Sequence, residues 1–118
     1  MPQRLSPLSR ARPTIAVATR AAAINTAYQP STTRDVLVCA SVQIDSGAAG
    51  DGKIEAASDS ANPPTVVVGT VRVGTALTVI VAQLSLWVKA GHYYQLKSTA
   101  TAGAPVFSVV GNVYEYAL

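Results

Sequence analysis

From Val36 onward the side chains alternate. Val36, Val38, Ala40, Val42 and Ile44 fall on one side of an extended chain, and Leu37, Cys39, Ser41, Gln43 and Asp45 on the other. Successive side chains of a β-strand point to opposite faces, so a period of two with one wholly aliphatic set predicts a strand facing a core on one side. The period recurs from Thr78 to Val88, where Ile80, Ala82, Leu84, Leu86 and Val88 share a face and Gln83 and Ser85 lie opposite. It recurs again from His92 to Ser98, where Tyr94 and Leu96 oppose Tyr93, Gln95 and Lys97. Thr65 to Val73 is β-branched almost throughout, a composition that favours strand. Shorter strands are predicted at Lys53–Ala57, Val106–Val110 and Val113–Leu118.

Between these runs lie Gly, Pro, Asp and Ser clusters at Ser46–Gly52, Ser58–Pro64, Lys89–Gly91 and Ala100–Pro105, which read as loops and turns. Gly111-Asn112, between the last two strands, is the strongest hairpin signal in the chain. Nothing after Val36 has helical period with caps. Ala16–Ala27 is Ala-rich but carries no amphipathic stripe, so helix and extended structure are equally open there. Short strands with turns every 8–12 residues specify an all-β chain. The expected fold is an antiparallel β-sandwich, jelly-roll-like, of about seven or eight strands.

Charge adds an arm to this picture. Residues 1–34 hold Arg4, Arg10, Arg12, Arg20 and Arg34, no acid, and four of the seven prolines. The rest holds four bases against six acids, so the net +3 is a basic segment joined to a mildly acidic body. Proline removes backbone donors and blocks helix continuation. The expected organisation is a basic, Pro/Ala-rich extended arm over residues 1–27 and one sandwich domain over residues 28–118. The chain of 118 residues is 13% charged, about half the ~25% usual in soluble domains. A monomer ordinarily needs a charged skin, so thin charge predicts that much of the surface is covered by other protein.

Candidate chemistry is sparse. One Cys excludes an intrachain disulfide framework, and one His leaves little for metal ligation or acid–base work at neutral pH. His92 reads as a histidine at the start of a strand, since no nucleophile elbow and no second His accompany it. Cys39 reads as a small buried hydrophobe. Asp45, Asp51 and Asp59 lie in or beside loops and read as turn formers, outside any EF-hand spacing. Gly47–Gly52 lacks the Gly-Lys-Ser/Thr ending of a phosphate loop. The expectation is therefore no enzyme, no cofactor and no metal. The run Thr14–Thr19 is shorter than a secretory apolar core, so no signal peptide is expected, and Val73–Val88 is too short and polar for a spanning helix. Arg4, Arg10, Arg12 and Arg20 read as an arm docking on an acidic protein surface. Nucleic acid is the weaker partner, because no aromatic residue precedes Tyr28 to stack on bases. Tyr28, Trp87, Tyr93, Phe107, Tyr114 and Tyr116 are the candidate subunit-interface residues, large amphipathic rings being favoured there.

Two stretches resemble a known family. Tyr28-Gln29-Pro30-Ser31-Thr32-Thr33-Arg34-Asp35, running into the Val36 strand, resembles the start of a small β-structured domain of tailed-bacteriophage virion proteins. Trp87-Val88-Lys89-Ala90-Gly91-His92-Tyr93-Tyr94-Gln95-Leu96, followed by Gly103-Ala104-Pro105-Val106-Phe107, resembles its later part. Lys89 stands where that domain often has proline, and the Val113–Leu118 ending differs from its Gly-Gln-Glu-rich one. The resemblance implies a non-enzymatic virion structural protein that decorates the capsid or forms a short fibre. It also implies a homotrimer contacting major capsid or tail proteins; the expected lack of an export signal and of a spanning segment fits assembly in a host cytoplasm with no membrane partner. Two alternatives stand beside it. One is a tail-fibre or baseplate module holding a glycan in loops 46–52, 58–64 and 99–105; the other is a coat protein associated with nucleic acid.

Overall fold

The structure, a computed structural model, describes residues 15–48, 50–73 and 78–118. Arg4, Arg10 and Arg12 lie outside the described residues. The strands are β1 (Ala16–Arg20), β2 (Ala27–Tyr28), β3 (Val36–Asp45), β4 (Asp51–Asp59), β5 (Val67–Val73), β6 (Val79–Val88), β7 (Tyr93–Ala102), β8 (Val106–Val109) and β9 (Val113–Ala117). All pairings are antiparallel, and no helix occurs among the described residues. One sheet, sheet A, runs β1-β9-β3-β6, with β8 also on β3; the other, sheet B, runs β2-β7-β4-β5.

The topology is that of one long antiparallel ribbon. β1 pairs β9, β2 pairs β7, β3 pairs β6 and β4 pairs β5, so the chain doubles back at the β4–β5 turn. The ribbon then wraps so that β9 meets β3 and β7 meets β4. This wrapping defines a jelly roll, a double-sheet solution that leaves few open edges. The core fills the space between the sheets. Alternate residues of β3, from Val36 to Ile44, are buried and meet Ile54 and Ala56 of β4, Leu84, Leu86 and Val88 of β6, and Tyr94 and Leu96 of β7.

The last two strands do not form a hairpin. β8 pairs Val42–Asp45 of β3, and β9 pairs Val36–Cys39 of the same strand, so they are successive pieces of one strand. Val110–Asn112 form a bulge between them, with the Val110 N–H donating to the Ser41 carbonyl at 2.8 Å. Gly111 sits at φ 68°, a left-handed backbone that glycine adopts without a Cβ clash. The positive φ that the dipeptide encodes is present, but it bends the strand without reversing it.

Other boundaries also move. Residues 16–20, expected in the arm, form an edge strand of sheet A. β4 spans the whole of Asp51–Asp59 because both of its sides are paired, and β7 reaches Ala102, which shortens the expected 100–105 loop. At the β4–β5 turn the Asp59 carboxylate accepts hydrogen bonds from the N–H of Ala61, Thr65 and Val66 and from the Thr65 hydroxyl, at 2.8–3.0 Å.

Those donors, the Thr65 N–H foremost, hold the Asp59 carboxyl down at about 2, against an ordinary 3.8. A carboxylate with a depressed folded-state value adds stability that is complete above its unfolded value and is lost as pH falls through the folded one. Asp59→Asn should therefore melt below the parent at pH 7, and the gap should close between pH ~4 and ~2. Thermal melts across that range check this, and a gap that stays constant would exclude Asp59 as the source.

Candidate functional site

Alternation gives each sheet an outer face, and the two outer faces differ in charge. On sheet B, β4 presents Asp51, Lys53 and Glu55, β5 presents Arg72, and β7 presents Lys97 opposite Glu55. Lys53 and Glu55 approach to 3.4 Å, and Arg72 and Asp51 to 3.2 Å. On sheet A the outward positions are the odd residues of β3 and β6 together with their partners in β1, β8 and β9. Among the described strand residues of that face, Asp45 is the sole charge.

The face has an order of its own. Val17 lies opposite Tyr116, Tyr116 opposite Leu37, and Leu37 opposite Trp87, so one apolar row crosses β1, β9, β3 and β6. Beside it runs Thr19, Tyr114, Cys39 and Ser85. Cys39, expected to be buried, is half-buried there, because its parity on β3 places it on the outer face. Trp87 is 58% exposed and Tyr114 46%, large values for aromatic side chains. A shallow depression of about 160 Å³ opens over the bulge, lined by Cys39, Ser41, Gln83, Asn112 and Tyr114 among others. It contains no carboxylate, no histidine and no cationic side chain.

The six aromatic candidates divide by the face on which they lie. Trp87, Tyr114 and Tyr116 share the outer face of sheet A. Tyr93 is half-buried at the start of β7, on the outer side of sheet B and opposite Asp59. Tyr28 and Phe107 turn inward and are partly buried against the core. Phe107 in particular lies over Gly52, where a Cβ would come within 2.6 Å of its ring.

Arg20, expected in the arm, lies in a network that ties the sheets together. Its Nε donates to Glu115 Oε2 at 2.6 Å and its Nη2 to Oε1 at 3.2 Å. The Tyr94 hydroxyl, from the opposite sheet, donates to the same Oε2 at 2.6 Å. The guanidinium also lies 4.7 Å from the Tyr28 ring centre, and the Tyr28 and Tyr94 rings are tilted 40° at 5.8 Å. The bond to Glu115 raises the Arg20 pKa above its ordinary value. Burial, with help from the Glu115 carboxylate, pushes the Tyr94 phenol up. The network binds sheet to sheet and reaches no cleft.

The loop acids stay apart. Asp45 accepts from the Gly47 N–H at 3.0 Å, Asp51 pairs with Arg72, and Asp59 lies at the far end of β4. No cluster of three His, Cys, Asp or Glu that could hold a metal occurs among the described residues. His92 directly precedes β7, its N–H donating to the Lys89 carbonyl at 2.9 Å. The loops expected to hold a glycan also separate. Ser46–Ala48 and Gly103–Pro105 sit at one end of the sandwich, and Ser60–Val66 sits beyond the other end of β4.

By contrast, the two stretches that carry the family resemblance meet. Gln29 Nε2 donates to the Gly91 carbonyl at 3.0 Å, the Gly91 N–H to the Ser31 carbonyl at 2.9 Å, and the Ala90 N–H to the Asp35 carboxylate at 3.0 Å. Arg34, in the same segment, donates to the carbonyls of Ala117 and Leu118. Comparison of the chain with family models, curated proteins and solved structures returned no match.

Proposed function

We propose that this chain is a non-enzymatic structural subunit of a virion of the tailed-phage type, decorating a capsid or forming part of a short fibre. The observation that carries the reading is the outer face of sheet A, crossed by an apolar row and bearing Asp45 as its one described charge. Each Å² of apolar surface removed from water there contributes about 25 cal/mol to association. The meeting of the 28–35 and 87–96 segments supports the resemblance, since contacts between them give both stretches a common structural reason. The jelly roll is used by capsid proteins and lectins alike, so the fold alone does not decide the matter. The separation of the loops favours assembly over glycan capture. Arg4, Arg10 and Arg12 remain the docking residues of the arm, while Arg20 serves the sandwich.

The test is to purify particles from the source cells on a density gradient and quantify the chain by mass spectrometry. Many copies per particle are expected. A chain abundant in the lysate and missing from every particle fraction would sink the reading.

A further inference from the structure

The exposed flank of sheet A is β6, and it lacks the devices that protect sheet edges. Edge strands are ordinarily short, bulged, charged or interrupted by proline, because unpaired backbone groups template pairing with another chain. The other edges follow that rule. β1 has five residues and ends on Arg20, β2 has two residues, and β5 carries Arg72 near one end and a register break at Val68 near the other. β6 has ten residues, holds no charge, Pro or Gly, and pairs β3 one-to-one along its whole length.

The phase of the ladder shows which groups are open. The Ser46 N–H donates to the Thr78 carbonyl at 2.9 Å. Antiparallel ladders alternate, so the even-numbered residues of β6 bond to β3 and the odd-numbered ones aim their N–H and C=O at the free edge. Those are Val79, Val81, Gln83, Ser85 and Trp87. Their side chains also stand on the outer face of sheet A, whose one described charge, Asp45, lies opposite Val79, and Val79 is 56% and Val81 58% exposed.

We propose that β6 pairs antiparallel with β6 of a second copy about a two-fold axis at Gln83, joining two A sheets into one. This deepens the assembly reading and rests on it. The sequence of the edge is self-complementary in that register. Gln83 faces Gln83 of the partner subunit, Val81 faces the partner's Ser85, and Val79 faces the partner's Trp87. It is the register in which all five open residues pair with one another. Neither copy brings a charge to the seam, so no like-charge repulsion opposes it. The pairing is two-fold, in place of the threefold arrangement that the resemblance implies.

The test is light scattering on the purified full chain. The parent should have twice the chain mass of 12.2 kDa. Gln83→Lys and Gln83→Glu each place like charges across the axis and should weaken the dimer roughly tenfold or more. Mixing the two variants should restore it, because the charges then oppose. Both variants should melt as the parent monomer does, since Gln83 is exposed. A monomeric or trimeric parent, or a Gln83→Lys variant that stays dimeric, would overturn the proposal. A chain that is found in particles yet monomeric in solution would sink this inference alone. A dimer missing from particles would sink the assembly reading alone.

Discussion

Replacing Arg20 with methionine should destabilise the fold by about 3 kcal/mol, the low end of what is seen when one partner of a buried ion pair is removed. Methionine retains an apolar stem, so the loss isolates the guanidinium. The low end applies because the Arg20 side chain is 32% exposed, whereas that of Glu115 is 6% exposed. With the cation gone, a carboxylate remains between the sheets with the Tyr94 hydroxyl as its other donor. A charge out of water with too few donors is the costly element, more than the loss of attraction itself. The double variant Arg20→Met with Glu115→Gln therefore recovers part of the loss. Gln carries no charge, and its carbonyl oxygen still accepts from Tyr94. Urea denaturation of Arg20→Met, Glu115→Gln and the double variant measures this. A double variant that loses the sum of its two singles would show that the stranded charge is not the cause.

That network could have been found in the sequence, and its signal was one of phase. Val113, Glu115 and Ala117 share a parity, and Val113 belongs to the core. An acid on the inward parity of an apolar strand demands a partner. The partner was hidden because Arg20 is far away in the chain and sat among residues that composition assigned to an arm. Proline and charge are local signals. The pairing of β1 with β9 joins positions 16–20 to 113–117, and no local signal reports it.

The same limit explains the bulge. Gly111-Asn112 encodes a positive φ, and the structure has one. Whether such a residue makes a turn or a bulge depends on what the following strand pairs with. Both flanking strands here pair with β3, which lies 67 residues back at the Val109–Val42 pair and further back for β9. Strand phase was legible because it depends on neighbours two positions away. The apolar outer face, with Asp45 its one described charge, was legible only as thin composition until the register set Val17, Tyr116, Leu37 and Trp87 in one row. The open edge of β6 had no sequence signature, since a central strand and an edge strand of this composition look alike.

Ile44→Ala should cost about 3–4 kcal/mol, and Gln43→Ala, one residue away, should stay within about 0.5 kcal/mol. The contrast follows from the period of two. Ile44 is fully buried and stands between Ile80 of β6 on one side and Phe107 of β8 on the other. Truncation removes three carbons from a site held by two ladders at once. Neither neighbour can move in without breaking backbone hydrogen bonds, so the cavity collapses little and the cost falls in the upper part of the range for such changes. Gln43 points to the outer face between Val81 and Ser108, where water or a neighbouring side chain replaces what is lost. Chemical denaturation of both variants at one protein concentration separates the two effects. Equal losses would mean that the outer face is already covered in solution by a second copy or another protein. Dilution would then lower the stability of the parent as well, because a fold supported by association depends on concentration.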